Sequence, residues 1–243
     1  MFTSNRNDIM KFRYKSIVPL LALGVLFSSC EKDNYAEPKT SLTGNIVYKG
    51  EPIGVEFGQV RLQLWQPGFG KLAPIDAPID QDGSFSARLF DGNYKLVFTR
   101  NDGPWQTINK DASTRDTTMI SLNGDQQVDI EVIPYYLIRN VTFSKEPKKV
   151  SSSFEVEKII TGTDARDVER VSLLISRTQF VSRANNIGIT NKEGADVAGK
   201  TSFSLSVDVP TISPSQDFVF ARVGVKIKDV EDMIFSRVEK IQL

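Results

Sequence analysis

The sequence contains no histidine and only one cysteine, and these two absences narrow the functions open to it. Without histidine, the chain has no imidazole general base, no His-ligated zinc or iron site, and neither Ser-His-Asp nor Cys-His catalysis. A single cysteine cannot form an intramolecular disulfide, because that bond needs a second thiol. The composition therefore predicts no cofactor and no metal site, and it leaves paired carboxylates as the remaining route to hydrolysis.

The chain also lacks an excess of positive charge and a long apolar run. Basic and acidic residues both number 30, and no basic stripe with interleaved aromatic residues is present. Nucleic acid is therefore not an expected partner. The apolar stretch at residues 17–27 would span about 16 Å as a helix, roughly half of a hydrocarbon core. This stretch is too short for a stable transmembrane helix.

That apolar stretch belongs to a layout typical of a bacterial export signal. Three basic residues precede it between positions 11 and 15, and two small serines lead into Cys30. The segment LFSSC, which ends in Cys30, resembles a bacterial lipobox, with phenylalanine three positions before the cysteine. The resemblance implies that residues 1–29 are a signal peptide and that the Cys30 sulfur carries a diacylglyceryl group. A buried structural cysteine is the alternative.

The residues behind the cysteine are polar. Residues 30–40, CEKDNYAEPKT, have no apolar periodicity, which is typical of a flexible tether. The cluster EKDN resembles the surface-export signal of Bacteroidota-type lipoproteins. These resemblances imply a protein that is anchored in the outer membrane by its N-terminal lipid and lies at the cell surface.

From residue 41 onward the sequence has the pattern of short strands. Segments such as QVRLQLWQ, GNYKLVFTR and QQVDIEVIPY alternate apolar and polar residues and are separated by Gly, Pro, Asp and Asn. Six further segments after residue 136, from RNVTFS to DMIFSRVEKIQL, repeat the pattern. We therefore predict an all-β chain with two β-sandwich domains in tandem, at residues 41–136 and 137–243.

The segment from residue 80 to residue 100, DQDGSFSARLFDGNYKLVFTR, begins with a tight Asp-Gly turn. It resembles the D-x-x-G-x-F and G-x-Y-x-L signature of the transthyretin-like, carboxypeptidase-regulatory-like β-sandwich. The signature positions are Asp80, Gly83, Phe85, Gly92, Tyr94 and Leu96. In that family they form turns and core, which implies a structural role. A loose calcium site at the two aspartates of the turn is the alternative, although an EF-hand would require glycine in place of Phe85.

The second sandwich is expected to be of the immunoglobulin or fibronectin type. The sequence resembles a two-domain lipoprotein family of unknown function from Bacteroidota. The resemblance rests on the lipobox, the tether, the first sandwich, the VIPY junction and the segment ERVSLLISRTQFVS. Members are encoded beside the outer-membrane transporter and the glycan-binding lipoprotein of starch-utilisation-like systems. The resemblance implies a role in polysaccharide utilisation, with those two proteins and a polysaccharide or oligosaccharide as partners. It supplies no active residues.

Two turn-rich loops combine aromatic and hydrogen-bonding side chains, as a sugar-binding surface requires. The candidate ligand-binding residues are Trp65, Gln66, Phe69, Asn101, Asp102, Trp105 and Gln106. Packing in a core or at the domain interface is the alternative for both tryptophans. Alternation with Leu62 and Leu64 predicts that Trp65 faces outward, unless a bulge reverses it.

The acidic residues do not form a catalytic pair in the sequence pattern. Most of them alternate with apolar residues and are expected on the solvent face of strands: Asp116, Asp125, Asp129, Glu155 and Glu157. No enzyme activity is therefore predicted. Residues 176–188 are less regular and are expected to form a long inter-strand loop with functional potential.

The function predicted from the sequence is that of a non-catalytic outer-membrane lipoprotein, accessory to a glycan-acquisition system. Such a protein would bind oligosaccharide or support the transporter complex. The alternative is a structural or adhesive protein-interaction module without glycan binding. Accessible tryptophans that a glycan protects would favour the first function, whereas burial of both tryptophans in cores or interfaces would favour the second.

Overall fold

A computed structural model describes most of the chain beyond the predicted tether. The described residues are 36–68, 71–99, 102–107 and 117–243. The predicted lipidation site Cys30 lies outside these ranges, as do the candidate residues Phe69 and Asn101 and the acidic residue Asp116. No helix in the described part of the chain is long and apolar enough to cross a membrane.

The described residues are mostly strands. The N-terminal half contains β1 (Thr40–Tyr48), β2 (Glu51–Pro52), β3 (Arg61–Trp65), β4 (Pro74–Pro78), β5 (Ser84–Leu89), β6 (Gly92–Phe98), β7 (Trp105–Thr107), β8 (Thr117–Leu122), β9 (Gln126–Gln127) and β10 (Ile130–Pro134). The C-terminal half contains β11 (Tyr136–Glu146), β12 (Lys149–Lys158), β13 (Val168–Ser176), β14 (Gly188–Glu193), β15 (Ser202–Asp208), β16 (Phe218–Ile227), β17 (Ile234–Phe235) and β18 (Glu239–Gln242). Two 3₁₀ turns, Gly162–Asp164 and Gly194–Asp196, are the helical segments of these ranges.

Two sheets build the N-terminal half. One has the order β2-β1-β10-β7, with β5 and β9 also pairing with β1, and the other has the order β4-β3-β6-β8. Strand β1 is antiparallel to β5 but parallel to β9 and β10. The alternation seen in the sequence buries Leu62 and Leu64 of β3 and Tyr94 and Leu96 of β6, all at most 2% exposed.

Two further sheets build the C-terminal half. They have the orders β11-β12-β15 and β14-β13-β16-β17, with β18 pairing with β16 on the same edge as β17. The five-stranded sheet is the more apolar one, since Leu173 and Ile175 of β13 and Val223 and Val225 of β16 are fully buried. The prediction of an all-β fold with tandem β-sandwich domains is confirmed.

The Asp-Gly turn that the sequence predicts connects β4 to β5. Gly83 has a φ of 89°, and a Cβ atom there would lie 2.4 Å from the Ile53 carbonyl oxygen, so a larger residue would not fit. The turn is closed by the Gly83 amide, which donates to the Asp80 carbonyl at 3.0 Å. Phe85 behind it is buried, as is Tyr94. The turn and core roles of these signature residues are confirmed.

The two halves share backbone contacts as well as core. Buried apolar side chains from both belong to one continuous cluster, and residues Pro38–Leu243 form one compact unit. Gly54 of the N-terminal half forms an isolated β-bridge with Phe235 of β17, whose amide donates to the Gly54 carbonyl at 2.9 Å. A Cβ on Gly54 would lie 2.6 Å from the Phe235 oxygen, so glycine permits this close approach.

Candidate functional site

The structure places Trp105 in the core, and this corrects its assignment to a ligand-binding loop. Trp105 begins β7, opposite Pro134 of β10, and is 6% exposed. Its ring lies edge-on to Phe98, with 5.6 Å between the ring centroids. A side chain covered in this way offers no face on which a sugar could stack.

Trp65 remains at the surface, but far from Trp105. It ends β3 and is half-buried on the outer face, as the alternation predicts. Strand β3 pairs Leu62 with Phe98 and Trp65 with Lys95. Because Trp105 packs on Phe98, the two tryptophans lie at opposite ends of β3, about 10 Å apart along the strand. The structure does not bring them together on one surface.

The polar candidate residues Gln66, Asp102 and Gln106 likewise do not lie together on one surface. The Gln66 side chain packs against Gly92, with its Nε2 atom 2.8 Å from the position a Cβ would take. Asp102 is half-buried, and its carbonyl accepts a hydrogen bond from the Asp232 amide at 3.2 Å. Burial and a neighbouring glutamate raise the pKa of the Asp102 carboxyl. Gln106 lies opposite Ile133 in the six-stranded sheet. Asp102 thus belongs to the domain junction, not to a loop platform.

Two phenylalanines are instead the most exposed aromatic side chains of the described residues. Phe57, from the N-terminal half, is 51% exposed, and Phe180, from the C-terminal half, is 44% exposed. Their ring centroids are 5.8 Å apart with an interplanar angle of 60°. Large exposed apolar side chains that lie side by side indicate a binding surface more strongly than scattered ones do. We call this pair the aromatic pair; sequence reasoning missed it.

Local hydrogen bonds order the backbone at both phenylalanines. Phe57 lies in a turn that is closed by the Gln59 amide donating to the Glu56 carbonyl at 3.3 Å. Phe180 lies in the loop between β13 and β14, and its carbonyl accepts a hydrogen bond from the Asn185 side chain. The interpretation of this segment as a long inter-strand loop is confirmed. Its ordered hydrogen bonding gives the Phe180 ring a defined position.

The loop is held to the N-terminal half by an ion pair. Glu56 accepts hydrogen bonds from the Arg183 main-chain amide and from Arg183 Nε, both at 2.6 Å. The Glu56 side chain is 4% exposed and the Arg183 side chain 37% exposed. Gln81 adds a second link, donating from Nε2 to the Gln179 carbonyl at 2.8 Å. Glu56 and Gln179 are sequence neighbours of Phe57 and Phe180, so these bonds hold the aromatic pair together.

A buried cation lies beneath this ion pair. Arg222 of β16 is fully buried, donates from Nη1 to the Val55 carbonyl at 3.0 Å, and lies 3.8 Å from the Phe235 ring centroid. Burial lowers the pKa of Arg222 to about 10, and the Glu56 charge opposes that change. The guanidinium therefore remains charged at neutral pH, and its bond to Val55 joins the two halves directly.

Asp232 completes the charged junction. It is 2% exposed, and Arg183 Nη2 lies 3.7 Å from its Oδ1 atom. Burial and the charge of Asp102 raise the pKa of Asp232 to about 6, against the opposing effect of Arg183. The junction thus contains one acidic group that titrates close to neutrality, unlike an ordinary surface aspartate.

Phe57 of the aromatic pair lines a concave surface on the six-stranded sheet, which we call the groove, and Phe180 lies next to Phe57. The volume of the groove is about 490 Å³. Outward-facing side chains of β1, β5 and β9 line it in cross-strand rows, with Asn45 opposite Ser84 and Thr43 opposite both Ser86 and Gln127. Hydroxyl and amide groups beside an aromatic rim can bind a ligand that presents both hydroxyls and apolar C–H surface.

The described acidic residues form neither a metal site nor a catalytic pair in this groove. No group of three or more metal-ligating side chains occurs within the described part of the chain. Asp125 and Asp129 accept hydrogen bonds from backbone amides of β1, and Glu155 and Glu157 bond to side chains of β11. All four are exposed, as expected for the solvent face of strands.

Comparison with known proteins identifies the family. The model for "Protein of unknown function (DUF3823) N-terminal domain" matches residues 40–133, and the model for "Domain of unknown function (DUF3823_C)" matches residues 136–240. No curated protein matches the chain.

Solved structures agree with the family models. A DUF3823 protein from Parabacteroides merdae is 32% identical, with a TM-score of 0.72 over 85% of this chain and 100% of that one. One from Bacteroides ovatus is 29% identical, with a TM-score of 0.72 over 84% and 100%. A Bacteroides uniformis protein, proposed to bind carbohydrate, is 16% identical, with a TM-score of 0.66 over 85% and 100%. The chain belongs to the two-domain DUF3823 family.

Proposed function

We propose that this protein is a non-catalytic, lipid-anchored carbohydrate-binding protein of the outer membrane, accessory to a glycan-acquisition system. One observation carries the binding proposal: Phe57 and Phe180 are exposed and adjacent, and Phe57 lines a polar groove. Isolated exposed phenylalanines would need no explanation. The pair formed by Phe57 and Phe180 is instead held in place across the domain junction by a buried carboxylate, as the side chains of a binding site are.

The chemistry of the groove suits a sugar. Aromatic rings bind the apolar C–H faces of a pyranose, and hydroxyls and amides exchange hydrogen bonds with its hydroxyl groups. The described lining offers Thr43, Asn45, Ser84, Ser86 and Gln127 for this purpose, and it includes no basic residue. A volume of about 490 Å³ lies within the range of small-molecule sites. A neutral oligosaccharide is therefore the ligand class that the groove fits best.

Two other lines of support are indirect. The structurally similar Bacteroides uniformis protein has been proposed to bind carbohydrate, although at 16% identity the likeness concerns the fold. The lipobox-like segment ending in Cys30 supports an N-terminal lipid anchor, which would hold the groove close to the cell surface. In that position a carbohydrate-binding protein would present glycan to a transporter in the same membrane.

Affinity electrophoresis tests the proposal. Residues 31–243, which include the whole compact unit, would be run through native gels containing amylopectin, xylan, galactan or mixed-linkage β-glucan. We expect one of these polysaccharides to retard the protein. Phe57→Ala and Phe180→Ala should each raise the dissociation constant about tenfold, equivalent to 1.4 kcal/mol. Both side chains are exposed, so neither change should affect folding much.

Trp65→Ala is the matched control, because it removes a half-exposed aromatic ring from the opposite sheet of the same half. Retardation that survives Trp65→Ala but not the phenylalanine changes supports the groove. The reverse pattern would move the site to the Trp65 surface. Unchanged mobility in every gel would overturn carbohydrate binding for these glycans and favour a protein-interaction module.

A further inference from the structure

A second cavity lies on the other side of the turn between β4 and β5. Its volume is about 440 Å³, and residues of both halves line it. We call it the cleft. Asp80 and Ser84 line the groove, whereas Gln81 and Asp82 line the cleft, so consecutive residues of one turn face the two cavities. The two cavities therefore share this one turn as a common wall.

The cleft contains an arginine in a fixed orientation. Arg139 of β11 donates from Nε to Glu157 at 2.7 Å, and from Nη1 to the two carboxylate oxygens of Glu51 at 2.7 and 2.8 Å. These hydrogen bonds raise the pKa of Arg139. Within the described residues, the two N–H groups of Nη2 have no hydrogen-bond partner. A guanidinium held by two carboxylates and keeping two donors available is suited to a ligand with paired hydroxyls.

A β-bulge shapes the same wall of the cleft. The pairing of β11 with β12 shifts between Arg139 and Thr142, and Asn140 has a φ of 51°. Positive φ is uncommon for residues other than glycine, and bulges often re-aim side chains beside binding sites. Asn140 Nδ2 bonds to Glu155, which leaves the amide oxygen as an acceptor. The backbone irregularity thus coincides with the cleft.

The opposite wall carries charged groups of both signs. Arg237 and Glu239 line it, together with Asp82 of the turn. Hydrogen bonds from Ser84 lower the pKa of Asp82, so its carboxylate is ionised at neutral pH. The Arg237 side chain donates no hydrogen bond to other described residues. Planar polar side chains of this kind form multiple hydrogen bonds to vicinal hydroxyls.

We propose that the glycan ligand is a linear oligosaccharide that continues from the groove, past the Asp80–Ser84 turn, into the cleft. This inference rests on the proposed carbohydrate binding and adds a requirement for chain length. A short sugar would occupy the groove and contact the aromatic pair. A longer chain would also reach Arg139 and Arg237, and affinity would rise with length until both cavities are filled.

Isothermal titration calorimetry with an oligosaccharide ladder tests this inference. The ladder is prepared from whichever polysaccharide retards the protein, and it runs from the disaccharide upward. Arg237→Ala removes an exposed side chain of the cleft, and Gln127→Ala removes an exposed side chain of the groove as its matched control. We expect Arg237→Ala to leave the shortest binding sugar unaffected and to abolish about a tenfold gain for longer chains. Gln127→Ala should weaken every length equally.

The outcomes separate the two proposals. Affinity that stops rising once the groove is full, with no effect of Arg237→Ala at any length, overturns the extended site and leaves carbohydrate binding intact. A loss with Arg237→Ala that is equal for all lengths would place the short sugar in the cleft and also overturn the inference. Absence of binding by every member of the ladder, when the parent polysaccharide retards the protein, overturns a short sugar in the groove and with it the inference, but leaves carbohydrate binding intact. Absence of retardation by every polysaccharide overturns the proposed function itself.

Discussion

The interior of the C-terminal sandwich and the junction between the two halves are both buried, yet they contain different chemistry. Leu173, Val223 and Val225 fill the sandwich and are fully buried aliphatic side chains. The junction instead buries Arg222 and Glu56, with Arg183 partly exposed beside them. Buried ion pairs are often no more stabilising than aliphatic residues of similar volume. The difference indicates that the junction is built to position groups, whereas the sandwich is built for stability.

The comparison is sharpened first by a core substitution, which should have the largest effect on stability. Leu173→Ala removes a fully buried side chain from β13 and should lower the free energy of unfolding by about 3 kcal/mol, from lost burial and the cavity left behind. Urea denaturation measures this change. Glycan affinity should stay at the wild-type value. A loss of affinity as large as that of Phe180→Ala would show that core and junction are not separable.

A substitution at the junction should change glycan affinity more than a core substitution does, and stability less. Glu56→Gln keeps the shape of the side chain but removes the charge that pairs with Arg183, at a cost of about 2 kcal/mol in stability. The loop that carries Phe180 should become more mobile, because Arg183 in that loop is no longer paired with a carboxylate. Chymotrypsin cleavage after Phe180 should accelerate, and glycan affinity should fall as in Phe180→Ala. Unchanged cleavage and affinity would refute a positioning role for Glu56.

The same division explains what could be predicted from the sequence. Alternation with period two is a local pattern, and it correctly predicted the inward-facing residues of β3 and β6 and the outward position of Trp65. The Asp82-Gly83 turn could also be predicted from the sequence, because a turn residue with positive φ is usually glycine. Fold class and most of the core therefore follow from neighbouring residues alone.

The site depends on pairings between distant residues and could not be predicted in this way. Trp105 follows a glycine and a proline, which is typical of a loop, but it pairs with Pro134 and is buried. Phe57 alternates with Ile53 and Val55, a pattern that favours an inward position. Gly58, directly after it, was the one local sign of a turn. The Glu56–Arg183 bond spans 127 positions, which no local pattern reveals.

The junction should also respond to pH through Asp232. Its pKa is raised from 3.8 to about 6 by burial, with contributions from Asp102, Glu231 and Glu56 that exceed the opposing effect of Arg183. A raised carboxyl pKa stabilises the fold below pH 3.8, and this stabilisation is lost as pH rises through about 6. Between about pH 4 and 6 the wild type should therefore lose stability relative to Asp232→Asn, and above about pH 7 the difference should stay constant.

Melting temperatures of the two proteins, measured in parallel across that range, check this expectation. The difference between them isolates Asp232, because every other titrating group is common to both. Parallel curves would mean that the Asp232 pKa is unperturbed in the folded protein. A wild type that gains stability over the variant with rising pH would mean that the ion pair with Arg183 outweighs burial.

The smallest effect is expected where an ion pair between the halves is exposed. Glu51→Gln breaks the contact with Arg139, whose side chain is 34% exposed against 48% for Glu51. Water solvates both groups and Arg139 keeps Glu157, so the free energy of unfolding should fall by less than about 1 kcal/mol. High salt should abolish even that difference. A loss of stability that equals that of Glu56→Gln and does not depend on salt would show that the exposed and the buried ion pair contribute equally. The positioning role of the junction would then have to extend to its exposed edge.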